Sequence, residues 1–220
     1  MTKKKTTFEV AKQEVHAALS MHDLPTIVIA GRKSVYRVQE QQYPDPLYFN
    51  CNSQTRFGDP QKEIGVCYVA FSDKVALAET LQHGKSGVGS PVLQSEIEER
   101  SLHHLQTTRQ LVVVDAAALA RNAGKTLGAI VKSRGQGDEG YAYTQTLSGV
   151  VMRWQPAIDG ILYPSQVYPI TASLEGCNLV LFEGRPTQLV AVSKQPLGSV
   201  VLSNGETVGE LLNRMRVPIE

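Results

Sequence analysis

Between Gly65 and Leu81 the chain passes from strand to helix within a few residues, which narrows the folds open to it. Val66-Cys67-Tyr68-Val69-Ala70 is short, apolar and bounded by turn signals, the pattern of a buried strand. Ser72 is suited to an N-cap, and Asp73 favours the first turn of a helix through the partial positive charge at its N-terminus. In Val75-Ala76-Leu77-Ala78-Glu79-Thr80-Leu81 the single charge is Glu79. Burying an unpaired carboxylate costs several kcal/mol, roughly, so such a group is paired, protonated or functional unless it faces water. Spacing alone leaves two readings open: a solvated stripe with Thr80, or a site.

The remaining elements are short and of mixed type. A helix is predicted from Thr7 onward, with Phe8, Ala11, Val15, Ala18 and Leu19 at helical spacing. Strands are predicted at Ile27–Ala30, Ser34–Val38, Leu111–Val114, Ile161–Tyr163, Leu179–Phe182, Leu189–Val192 and Val200–Leu202, with Leu111–Val114 buried on both faces. Helices are predicted over Gln94–Gln106, Ala116–Ala120, Leu127–Lys132, Tyr141–Trp154 and Thr207–Met215, and loops at Gln39–Arg56 and Arg134–Gly140. Helices gathered around many short strands predict an α+β fold. No internal repeat or linker divides the chain, so residues 1–220 are read as one domain.

A net charge of +1, from 22 Lys+Arg against 21 Asp+Glu, argues against a large nucleic-acid footprint. Three cysteines, Cys51, Cys67 and Cys177, form neither a disulfide framework nor a zinc spacing, and no metal site is expected. No apolar signal region and no run of about 18 apolar residues is present, so a cytoplasmic protein without a membrane span is expected. Export by a machine that reads no N-terminal signal stays open. Gly84-Lys85-Ser86 lacks the first glycine of a phosphate-binding loop, since Glu79 stands there. Ser165 lies in Tyr-Pro-Ser-Gln rather than a nucleophile elbow, and Glu79 has no twin carboxylate for ordinary glycoside hydrolysis.

One carboxylate is enough where the leaving group is already cationic, as nicotinamide is in NAD⁺. It need only stabilise an oxocarbenium-like ribosyl cation electrostatically. Arginine forks suit the diphosphate, and an aromatic ring can stack the nicotinamide. The motifs Tyr36-Arg37-Val38, Thr55-Arg56-Phe57, Tyr68-Val69-Ala70, Ala76-Leu77-Ala78-Glu79 and Tyr163-Pro164-Ser165, in this order, resemble the RES-domain family from about Val35 to Phe182. The N-terminal helical and C-terminal strand and helix segments are then extensions outside the resemblance.

That resemblance implies an ADP-ribosyltransferase-like mixed β-sheet core with surrounding helices. It also implies a growth-inhibitory toxin that cleaves NAD⁺ at the nicotinamide–ribose bond, with water or phosphate as acceptor. NAD⁺ is substrate and no cofactor is implied. Glu79, Arg56 and Ser165 are the implied catalytic residues, and Arg37, Tyr68, Tyr36 and Arg56 the implied substrate-binding ones. The implied partner is an Xre-type antitoxin, or an immunity protein for an exported toxin. Two other readings stand beside this one: an ADP-ribosyltransferase acting on a protein or nucleotide, and a non-catalytic member that binds a nucleotide or partner. Thr55-Arg56-Phe57-Gly58-Asp59-Pro60 departs from the family's Gly-Arg-Trp-Asn-Pro, and Gln166 stands where an arginine often follows the serine.

Overall fold

Eight short strands form one mixed sheet among the residues that the computed structural model describes: 7–21, 23–52, 55–82, 85, 89–122, 124–128, 141–168 and 173–220. The strands are β1 (Thr26–Ile29), β2 (Ser34–Glu40), β3 (Val66–Ala70), β4 (Arg100–Thr107), β5 (Leu111–Asp115), β6 (Gly160–Pro164), β7 (Cys177–Phe182) and β8 (Leu189–Pro196). Among the described residues six helices surround them: α1 (Thr7–Met21), α2 (Asp73–Gln82), α3 (Gln94–Glu98), α4 (Ala116–Asn122), α5 (Ala142–Met152) and α6 (Val208–Arg214). The spatial order is β1-β5-β6-β7-β3-β2-β4-β8, antiparallel throughout except for β5 beside β6. The fold is α+β, as the element pattern predicts.

Local chemistry explains the boundaries. Ser72 Oγ accepts from Val75 N at 3.3 Å, capping α2. Asp115 does the same for α4, accepting from Ala117 N at 2.8 Å. At α6 Thr207 and Glu210 form a reciprocal capping box. Gly160 of β6 pairs with Leu181 of β7, and a Cβ there would meet the Val180 carbonyl oxygen at 2.1 Å.

Three apolar clusters fill the layers. The first joins Val15 of α1 to Leu147 and Val151 of α5, over Val66, Ile161 and Val180. The second joins Val75, Leu77 and Leu81 of α2 to Leu211 and Leu212 of α6. The third fills the other face of the sheet, with Val35, Val69, Leu105, Leu179 and Leu181.

Two predicted elements are corrected. The helix over Gln94–Gln106 stops at Glu98, and Arg100–Thr107 is strand β4 between β2 and β8. Ser101, Leu102, His103 and Leu105 are all buried, so an interior strand covered on both faces loses the alternation that marks a half-exposed one. Val200–Leu202 is not a strand: Val201 makes one isolated bridge to Thr207 around a tight turn. Val112 of β5 is also 37% exposed, because one face there is uncovered. The predicted loop Arg134–Gly140 and most of Leu127–Lys132 lie outside the described residues.

Candidate functional site

Residues directly opposite one another in a sheet share a face. The register aligns Tyr36 with Ala70, Ala70 with Asn178, and Asn178 with Tyr163, one row across β2, β3, β7 and β6. The neighbouring row places Tyr68 beside Val180 and Ile161 on the same face. Helix α2 lies over this face, and its half-buried Glu79 comes down where the first and second core clusters meet. There Asn178 Nδ2 donates to Glu79 Oε1 at 3.0 Å, and Gln166 N donates to the same oxygen at 3.2 Å. Glu79 is therefore paired, which explains how a lone charge fits an apolar helix.

The segment carrying Arg56 is pinned around this point. The Tyr68 hydroxyl donates to Thr55 Oγ1 at 2.9 Å and accepts from Phe57 N at 3.0 Å. Phe57 is fully buried, its ring centroid 5.0 Å from that of Tyr163. Gln145 Nε2 donates to Thr55 O at 3.0 Å, and Ser148 Oγ to Gly58 O at 3.1 Å. Asp59 closes the segment by accepting from Gln61, Glu63 and Ile64 backbone N–H groups and from both Nη atoms of Arg153. Burial alone would raise the Asp59 carboxyl, but Arg153 and those backbone donors together hold it below its ordinary range.

Electrostatics bind the group together. Burial pushes the Tyr68 hydroxyl up to about 12, opposed by its bonds to Thr55 and Phe57 and by the charge of Arg56. Tyr163 is raised well above its ordinary value by burial, then by Tyr68 and Glu79, with Arg56 opposing. Both phenols stay protonated, so the face carries two neutral aromatic rings beside one arginine and one carboxylate.

Among the described residues, the backbones of β2 and β3 pair only at Tyr36 and Ala70. Beyond that pair the backbone of Arg37–Glu40 pairs with β4 and that of Val66–Val69 with β7, Val66 also bridging to Asn50, and the strands part. An open cleft of about 720 Å³ lies along the freed edge of β2, lined among others by Arg37, Gln39, Tyr43, Tyr48, Thr80 and Arg100. Thr80 follows Glu79 on α2, so the same helix serves both places. Arg37 Nη1 donates to Pro46 O at 2.7 Å, Tyr48 O at 3.1 Å and Cys67 Sγ at 3.1 Å.

The structure thus brings Glu79, Arg56 and Tyr68 to one place, with Ser165 one residue from the contact on Glu79. Ser165 is fully buried, and its Oγ accepts from Val167 N at 3.2 Å and Tyr168 N at 3.0 Å. Arg37 lies on the cleft wall, reaching the opposite face of the sheet from Tyr68. Tyr36 stacks on His104 with centroids 5.1 Å apart and lines a separate cavity of about 200 Å³ with Asp73 and Ser203. Asn178 and the Gln166 backbone were not picked out by sequence reasoning. A signal for Asn178 existed: it is a lone amide leading into the apolar run Leu179–Phe182. Among the described residues no three His, Cys, Asp or Glu side chains gather as metal ligands would, and no helix is long and apolar enough to cross a membrane.

The RES domain model matches residues 34–203, well over half of the sequence, so the chain belongs to the RES domain family. The match continues past Phe182 through β8. Among solved structures, the chain is similar to one from the M. tuberculosis MbcT–MbcA toxin–antitoxin complex, at TM-score 0.55 and 17% identity, covering 96% of this chain and 99% of that one. No curated protein matches the sequence.

Proposed function

We propose that this chain is a toxin that degrades NAD⁺ by cleaving its nicotinamide–ribose bond, and that a protein antitoxin restrains it. The observation that carries the reading is Glu79: a carboxylate held on one oxygen by Asn178 and Gln166, beside Arg56, Tyr68 and Tyr163. Membership of the RES family supports it, as does the fold shared with a chain of a toxin–antitoxin complex.

In this reading the ribose C1–N bond breaks with its electron pair leaving on nicotinamide, which becomes neutral. Glu79 stabilises the ribosyl cation, and a fixed carboxylate in a site partly closed to water is worth far more than one in bulk water. Water adds to the cation and loses a proton, or phosphate adds directly. Arg56 and Arg37 hold diphosphate oxygens, and Tyr68 supplies an aromatic wall on the nicotinamide side. NAD⁺ is substrate, and no resident cofactor takes part. The antitoxin is of the Xre type if the pair follows the family pattern.

The test is incubation of purified protein with NAD⁺ and mass analysis of the products. Nicotinamide with ADP-ribose or its phosphate supports the reading. A mass added to a co-incubated protein supports transfer instead, and intact NAD⁺ rejects both. Expression of the chain alone is expected to lower cellular NAD⁺ and arrest growth, with rescue by its antitoxin.

A further inference from the structure

Both hydrogen bonds on Glu79 end on Oε1, and among the described residues nothing donates to Oε2. The two donors are themselves fixed. Asn178 is 4% exposed on β7, in register with Ala70 and Tyr163, and a buried amide at such a position is costly unless bonded. Gln166 presents its backbone N–H because the turn around it is closed by Ser165, whose Oγ accepts from Val167 N and Tyr168 N. Ser165 N in turn donates to Gly176 O at 2.9 Å, one residue before β7 begins. The turn and the strand that carries Asn178 are therefore tied together next to the carboxylate that both address.

We propose that Asn178 and the Ser165-closed turn form a clamp that sets the orientation of the Glu79 carboxylate and leaves Oε2 for the ligand. Asn178 is then a positioning residue. Ser165 is one as well, acting through the Gln166 N–H rather than by touching substrate. The proposal rests on the reading of Glu79 as the catalytic carboxylate. It also accounts for Gln166 standing where the family often has arginine, since the contact uses backbone and not the side chain.

A charge-assisted hydrogen bond lost from a catalytic group lowers kcat by about 10- to 100-fold. Asn178→Ala is expected to do this with KM for NAD⁺ little changed. Asn178→Asp gives the sharper test, because it keeps the shape and replaces the donor with a second carboxylate against Oε1. Two such acids cannot both ionise easily, and they titrate as a pair. At neutral pH this variant is expected to be at least as impaired as Asn178→Ala. As the pH is lowered, the pair retains one proton, which bridges to Oε1 as the amide hydrogen does, and activity recovers relative to Asn178→Ala. Ser165→Ala is expected to follow Asn178→Ala, with kcat lowered and KM kept.

A second readout is independent of turnover. In thermal unfolding at neutral pH, Asn178→Asp is expected to lie below Asn178→Ala, and adding Glu79→Gln to each should close that gap. Parallel pH–activity profiles for the two Asn178 variants, or a gap that survives Glu79→Gln, overturns the clamp. Wild-type protein that leaves NAD⁺ intact overturns the functional reading instead, and the unfolding comparison still decides the contact.

Discussion

Replacing Asp59 by alanine removes the acceptor on which the Arg56 segment is hung. Its side chain is 0% exposed and takes three backbone N–H bonds, at 3.0–3.1 Å, together with the Arg153 fork at 2.9–3.0 Å. The fork counts for less than its geometry, because the Arg153 side chain is 34% exposed and keeps Glu63 at 2.9 Å as an alternative partner. Counting about 1 kcal/mol for each backbone bond and a discounted ion pair gives a loss of about 2–4 kcal/mol. For a chain of this size that corresponds to a drop in Tm of roughly 4–16 °C.

Asp59→Asn should cost less than alanine, because the amide oxygen still accepts. The folded-state carboxyl lies below its ordinary value of 3.8, so its stabilising contribution is present above that pH and is lost as pH falls through the folded value. The difference between wild type and Asp59→Asn should therefore shrink in acid. Urea unfolding of the three proteins at neutral pH and at about pH 3 gives the comparison. An alanine variant within about 0.5 kcal/mol of wild type at neutral pH would refute the anchoring role.

Arg56→Lys should raise KM for NAD⁺ and lower kcat as well, since a point charge does not replace a fork. Arg37→Lys should raise KM too and loosen the loop held through Pro46 and Tyr48; unchanged kinetics in both would remove the arginines from the substrate site. Gly160→Ala should destabilise the sheet by about 3 kcal/mol or fail to fold, because its Cβ would overlap the Val180 carbonyl; calorimetry or low expression would register this. Thr207→Ala should cost about 1 kcal/mol by uncapping α6, read by the urea midpoint at constant m.

Where local and global preferences agreed, the chain could be read directly. The apolar run Val66–Ala70 and the cap at Ser72 give β3 and α2 as predicted, and Thr207 opens α6. Strand β4 was hidden because Glu96, Glu98 and Glu99 favour a helix locally, while burial between β2 and β8 decides the next eight residues. On a strand, neighbours point to opposite faces, so Tyr36 stacks on His104 while Arg37 lies on the wall of the cleft. That alternation was legible in the spacing alone. The inward turn of the Ser165 hydroxyl was not, because it depends on backbone N–H groups two and three residues later. Nor was the contact between Asn178 and Glu79, which are far apart in sequence and meet only through the order of β3 and β7.

If the carboxylate of Glu79 acts on the nicotinamide–ribose bond, Glu79→Gln removes the charge that does so. The amide keeps the volume and can still accept on one oxygen, so the variant should unfold near the wild-type temperature. Its rate of nicotinamide release from NAD⁺, followed by product mass, should fall by at least about 10²-fold. A folded Glu79→Gln protein that releases nicotinamide at the wild-type rate would take Glu79 out of the reaction.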